Sequence, residues 1–253
     1  MDAGIRPVFN RKNKVIVLGD VWCKGLTKVL KKRFWPSWTF KRAKLGELNP
    51  RVFDGARPHG LSKHGKRAGG QVDKWIDKLA KLGRSNLPIL SYPLPDKIPE
   101  IKKWTKQVPQ WFRDQVLLWC RAEQLIPIHT QVPVAYIGDS GKAVGTMVDL
   151  VCRPAHGPSN ARVIVEVKLF QYSYLEMHTP APLSPPFNTE NDCLRHQHYL
   201  QCGFSTLLYE HQFEGQHVVL RDRCTVLQFA RHGVRAHRIP QAWWDRMKLE
   251  DLV

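Results

Sequence analysis

Three closely spaced runs of β-branched and apolar residues constrain this chain more than any other feature. They are "VPVAYIG" (Val132–Gly138), "AVGTMVDLVCR" (Ala143–Arg153) and "ARVIVEVKLF" (Ala161–Phe170). Each is long enough for a strand and rich in side chains that suit a pleated sheet. The links between them, "DSGK" and "PAHGPSN", are short, polar and glycine-bearing. Such links make hairpins and are too short for the crossover of about a dozen residues that parallel neighbours need. Three consecutive antiparallel strands are therefore predicted.

Helical patterns flank these strands. "GQVDKWIDKLAKLG" sets Val72, Trp75, Ile76 and Leu79 at helical spacing, with Gly83 as a stop signal. "VPQWFRDQVLLWCRAEQLI" is a second helix, with Trp111, Val116, Leu118, Trp119 and Leu125 among its apolar positions. Downstream, "DCLRHQHYLQCGFSTLLYEHQF" reads as a long helix. "HVVLRDRCTVLQFARHGVRAHRIP" follows as one or two strands, and "QAWWDRMKLEDL" as a closing helix. Upstream, "NKVIVLGD" reads as a short strand or buried segment, and "KGLTKVLKKRFW" as a basic helix broken before Pro36. The expected fold is α/β: a central mixed, largely antiparallel sheet flanked by helices. "NPRVFDGARPHGLSKHGKRAGG" is rich in Gly, Pro and cations and reads as a linker. It divides the chain into a basic N-terminal segment, residues 1–60, and a compact domain, residues 61–253.

Charge is concentrated at one end. The 253 residues carry a formal +17, and residues 1–69 hold 17 Lys/Arg against 4 Asp/Glu. Such a field favours a polyanion, most simply nucleic acid. Lys28, Lys31, Lys32, Arg33, Lys41, Arg42, Lys66 and Arg67 are the candidate backbone contacts. Trp22, Phe34, Trp35 and Trp38 are interleaved as candidate stacking partners. DNA is the expected partner, with RNA as the alternative. No apolar run approaches the roughly 18 residues of a membrane span. The N-terminus lacks the apolar stretch of a secretory signal. The six cysteines, Cys23, Cys120, Cys152, Cys193, Cys202 and Cys224, form no C-x-x-C pair. They read as free buried thiols of an intracellular, reducing compartment rather than a zinc or dithiol site. No H-E-x-x-H, P-loop or G-x-S-x-G motif occurs.

Strand alternation puts chemistry on one face. In "VIVEVKL", Val163, Val165, Val167 and Leu169 share the apolar face, and Ile164, Glu166 and Lys168 share the other. Glu166 and Lys168 lie about 6.6 Å apart along the strand. The hairpin brings Asp149 beside Glu166. Two carboxylates there repel unless a hard cation lies between them, and oxygen ligands with open positions suit Mg²⁺ or Mn²⁺. Lys168 would then lie beside metal-bound water, ready to orient it or to offset charge on phosphorus. Taken alone, the same three residues also describe the solvent side of a half-buried hairpin.

"GTMVDLV" and "VIVEVK", with a helix before and a Gln-bearing helix after, resemble the PD-(D/E)xK nuclease superfamily, in its RecB-like and lambda-exonuclease-like branch. There a G-T/S-x-D strand precedes one ending in (D/E)-x-K. Here these are Gly145, Thr146 and Asp149, then Glu166 and Lys168, with one extra residue between Thr and Asp. "HYLQCGFSTLLYEHQFEG" is similar to the family's following helix, with Gln201 at its Gln and Ser205 at its Tyr; Gln197 is the alternative, one turn earlier. "GGQVDKWIDKL" is similar to the first-motif helix, with Gly70, Val72 and Ile76 in place, Asp77 at the family's Glu and Asp73 at its His. Glu123 is the rival carboxylate. The resemblance implies a Mg²⁺- or Mn²⁺-dependent deoxyribonuclease. Asp149 and Glu166 would hold the metal, with Asp77 and the Val167 carbonyl completing its shell. Lys168 would position water and Gln201 would orient Lys168 or a phosphate, with Asp73, Glu123 and Gln197 as auxiliary candidates. The alternative is a non-catalytic nucleic-acid-binding protein on a degenerate nuclease fold.

Overall fold

A computed structural model describes residues 6–35, 63–85, 90, 110–169, 182–191, 193–230 and 233–253. At the N-terminus, β1 (Val8–Asn10), β2 (Val15–Leu18) and β3 (Val21–Trp22) form a small antiparallel sheet. A short β4 (Lys24–Gly25) leads into α1 (Leu26–Arg33). Then come α2 (Lys63–Arg84), α3 (Gln110–Ala122), β5 (Leu125–Ile137), β6 (Ala143–Pro154) and β7 (Ala161–Leu169). Helix α4 (Leu194–Gln212), β8 (Val218–Val219), β9 (Thr225–Ala230), β10 (Gly233–Arg238) and a short α5 (Gln241–Trp244) complete the order.

The fold is α/β with a mixed sheet between helices, as expected. Its main path is β10–β9–β7–β6–β4, with β5 on the other edge of β6. The β5–β6, β6–β7 and β9–β10 pairs are antiparallel. The β4–β6 and β7–β9 pairs are parallel. The parallel β7–β9 pair follows from α4, which carries the chain across the sheet between them.

Each face of the sheet buries one helical layer. On one side Val148, Ile164 and Val226 pack with Leu30 of α1, with Phe34 just after it, and with Phe204 and Leu208 of α4. On the other, Leu150, Val163 and Val165 pack with Trp75 and Leu79 of α2 and with Val116 and Leu117 of α3. All six cysteines are buried and unpaired. Among the described residues no helix is long and apolar enough to cross a membrane.

Three boundaries differ from the sequence reading. Leu125 and Ile126, expected at the end of α3, instead open β5, because Gln124 adopts a left-handed φ of 49° and turns the chain. Helix α2 begins at Lys63, inside the stretch read as linker. The basic N-terminal segment does not stand apart over its described part. Lys24 and Gly25 pair with Val144 and Gly145 of β6, and the Phe34 ring stacks on Phe204 at 5.7 Å. Leu26, Val29 and Leu30 recur on one helix face, and that face is core while the cations between them face water.

Gly83 also has a different reason from the one its position suggested. The helix runs on to Arg84, and a Cβ at Gly83 would lie 1.9 Å from the Pro127 carbonyl oxygen of β5. On an exposed helix Gly→Ala gains up to about 1 kcal/mol. Here overpacking reverses the sign: Gly83→Ala is expected to lose about 1–3 kcal/mol in a urea titration. A gain would show that α2 does not press on β5 at this point.

Candidate active site

The site is built where the sheet comes apart. Strand β7 pairs with β6 through Leu150↔Val165, Val151↔Ile164 and Cys152↔Val163. Strand β4 takes the same edge of β6 at Val144 and Gly145. Between them, Thr146 to Asp149 has no ladder partner on that edge among the described residues. Asp149 stands at the fork. Its Oδ2 accepts a hydrogen bond from the Val167 backbone N–H at 3.0 Å, doing with a side chain what the ladder no longer does with a carbonyl.

Across the fork, Glu166 is 2% exposed. Its Oε1 accepts hydrogen bonds from the Lys168 ammonium and, at 2.6 Å, from Gln201 Nε2 on α4. Burial pushes the Glu166 carboxyl well above the usual range, and the Asp149 carboxylate adds to this, against the opposing pull of Lys168. Burial alone would discharge Lys168, but Glu166 and Asp149 outweigh it and keep the ammonium charged.

Asp73 lies on the other wall. Together with Thr130, Gln131, Asp149 and Val167 it lines a narrow cleft. The residue as a whole is exposed. Its carboxyl is nonetheless pushed up to about 6, first by loss of solvent and then by Asp149, with Lys168 opposing. Asp73 thus feels both Asp149 and Lys168.

Asp77 is not brought to the cleft. It accepts from Thr130 Oγ1 at 3.1 Å and pairs with Lys81 at 2.8 Å, and these partners hold its carboxyl below its ordinary value. Glu123 lies near the opposite end of β6, paired with Arg238 at 2.7 Å. Gln197 is buried one turn before Gln201, and Ser205 is buried one turn after it. Lys28, Lys32 and Arg33 are exposed on α1, with Lys31 partly covered. Lys41 and Arg42 lie outside the described residues, as do the side chains of Lys66 and Arg67 in α2.

Gly145 has a packing reason. A Cβ there would meet Cys23 Cβ at 3.0 Å and the Val134 carbonyl at 3.1 Å, so its absence lets the small sheet close over β6.

Two features escaped the sequence reading. Gln131 faces Asp149 from β5, donates from Nε2 to its Oδ1 at 3.4 Å, and holds a left-handed φ of 50°. No sequence periodicity announces a strained non-glycine residue at such a position. Behind Lys168 lies a polar layer. Gln228 is its register partner, and His237 Nε2 is 3.1 Å from Gln228 Oε1. Nearby His198 is buried and held well below the ordinary imidazole range by burial, Lys168 and His237.

The donors at the fork are carboxylate oxygens, and Asp149 raises the pKa of both Glu166 and Asp73. That chemistry fits a hard divalent cation. Among the described residues no group of three or more His, Cys, Asp or Glu side chains is placed to hold a metal ion.

Two outcomes test this geometry. Gln131→Gly should be more stable than Gln131→Ala by about 1 kcal/mol, since both lose the hydrogen bond and only glycine relieves the left-handed strain. Equal urea midpoints would mean that the strain is absent. His237 is depressed from 6.5 to about 4 by burial and by Arg195 and Arg235. A base with a lowered folded pKa contributes stability that is full above its unfolded value and is lost as pH falls through the folded one. The wild type should therefore lose stability between pH 6.5 and 4 more steeply than His237→Gln. Parallel pH profiles would place His237 in open solvent.

No protein-family model, no curated protein and no solved structure matches the chain, so the chemistry of the site is read from its own residues.

Proposed function

We propose that the protein is a Mg²⁺- or Mn²⁺-dependent nuclease that hydrolyses phosphodiester bonds of DNA, with a site of the PD-(D/E)xK type. One observation carries the reading: Asp149 and Glu166 meet where β6 and β7 separate, with Lys168 bonded to Glu166. Asp149 and Glu166 would hold the cation, with the Val167 carbonyl beside them. Asp73 is preferred to Asp77 as the auxiliary acid, because it lines the cleft with Asp149 and Asp77 is engaged by Thr130 and Lys81. When bound, the cation supplies a polarised phosphoryl group and a water of lowered pKa.

The chain's own groups do the rest. Gln201 fixes the Glu166 carboxylate from α4. Lys168, bonded to Glu166, would orient a nucleophilic water and offset charge on the phosphate. The Val167 N–H and the Gln131 amide hold the two oxygens of Asp149. That leaves the carboxylate one orientation in which to meet a cation.

The test is cleavage of linear DNA with Mg²⁺ or Mn²⁺, against EDTA. Asp149→Asn, Glu166→Gln and Lys168→Ala should each lower kcat by about 100-fold or more. Asp73→Asn should lose more than Asp77→Asn. Undiminished cleavage by Glu166→Gln overturns the assignment. Salt-sensitive DNA binding without turnover in any metal would instead establish the non-catalytic reading.

A further inference from the structure

A second surface lies along β6 from the fork. Lys24, Lys32, Arg33 and Lys142 line a groove of about 580 Å³, with Trp22 at its wall. Among the described residues that line it, none is acidic. The four cations come from three separate places: β4, the last turn of α1, and the turn before β6. Folding therefore gathers like charges that sequence keeps apart; of the four, Arg33 donates to the Val253 backbone oxygen and feels the Asp251 carboxylate. Trp22 is 62% exposed, an unusual position for the largest apolar side chain. Its neighbour Val21 is 38% exposed.

Cations beside an exposed indole are the combination that single-stranded nucleic acid requires: charge for the phosphates and a flat ring for an unstacked base. A duplex hides its base faces and would leave Trp22 unused. A free phosphate would not need the ring. The groove and the fork also share one edge of β6. Lys24 pairs beside Val144, and Ala143 is six residues from Asp149, roughly 20 Å at about 3.3 Å per residue.

We infer that this groove is a binding site for single-stranded nucleic acid, with a base stacked on Trp22 and backbone phosphates on Lys24, Lys32 and Lys142. The inference rests on the proposed nuclease reading for where the strand leads, namely along β6 to the carboxylates. The binding itself does not need that reading. The site makes the protein a single-strand reader even where the strand belongs to the frayed end of a duplex.

The test is fluorescence anisotropy with a labelled oligothymidylate of about 20 nucleotides, longer than the roughly 4–16 nucleotides one such surface covers. EDTA is present throughout, so binding is read without cleavage. Trp22→Ala should weaken binding about 5- to 150-fold, the range measured for loss of one stacked base. It should weaken binding to a blunt duplex of equal length far less. Lys24→Glu/Lys32→Glu should flatten the dependence of log K on log salt by at least about 1.4, two single-strand phosphate contacts. The substituted side chains are exposed, and thermal melts would report whether each variant keeps its fold.

Unchanged oligonucleotide affinity in both folded variants overturns the inference. So does binding, through the same residues, to phosphatidylserine vesicles or an acidic peptide but not to the oligonucleotide. Failure of the nuclease reading looks different. Groove-dependent binding with no metal-dependent cleavage refutes the enzyme and keeps the groove. Cleavage with groove-independent binding does the reverse.

Discussion

The parting of β6 and β7 past Leu150 and Val165 is the constraint on which the site depends. A ladder that stops leaves a backbone N–H without its expected acceptor, and a buried donor left unmet costs about 1–3 kcal/mol. Here the Val167 N–H is met by Asp149, whose carboxylate fills the gap between diverging strands. One residue thus solves a folding problem and presents a charge. The register then sets Glu166 across the fork, and the alternation of β7 places Lys168 on the same face. The separation is itself enforced by packing. Helices α2 and α3 hold Leu150 and Val165 on one side, while α4 and α1 hold Val148 and Ile164 on the other.

Stability alone does not explain what occupies the fork. Glu166 is almost fully buried, and its neighbour Asp149 raises rather than relieves its energy. Lys168 and Gln201 supply hydrogen bonds, yet a buried ion pair of this kind is commonly no better than apolar residues of the same volume. Aliphatic side chains would satisfy this sheet at least as well. Like charges gathered at an unzipped edge are what a protein retains when a ligand will share the site. The left-handed Gln131 beside Asp149 has the same character, since it is strain kept where it positions a carboxylate.

Much of this was legible in the sequence because the meander obeys a simple period. Alternation across "VIVEVKL" assigned Glu166 and Lys168 to one face, and the short polar turn fixed an antiparallel partner carrying Asp149. Gln201 was reached through the resemblance of α4 to the Gln-bearing helix of the PD-(D/E)xK superfamily, with Gln197 as its alternative. What the residues upstream of the strands do was harder to read. Asp73 and Asp77 are one helical turn apart, and which of them turns toward β6 depends on the pose of α2 and on Thr130 and Lys81, neither of which a helical period reports. The left-handed φ at Gln131 and at Gln124 had no glycine to signal it. The basic N-terminal segment misled for a related reason. Net charge recorded its cations and concealed that Leu26, Val29, Leu30 and Phe34 form one apolar face.

That correction bears on how the two surfaces relate. Had residues 1–60 been an independent basic arm, its cations could be removed without touching the sheet. Instead β4 occupies the very edge of β6 whose neighbouring stretch opens onto Asp149, and α1 carries its cations while its other face packs on α4, the helix that supplies Gln201. The cationic groove and the carboxylate fork are therefore two ends of one strand edge, held by the same core. A shift of β4 along β6 would move Lys24 and close or widen the unpaired stretch from Thr146 to Asp149 together. Coupling of this sort needs no hinge or lid. It follows from one strand, β6, offering a single edge to two shorter partners and leaving Thr146 to Asp149 between them.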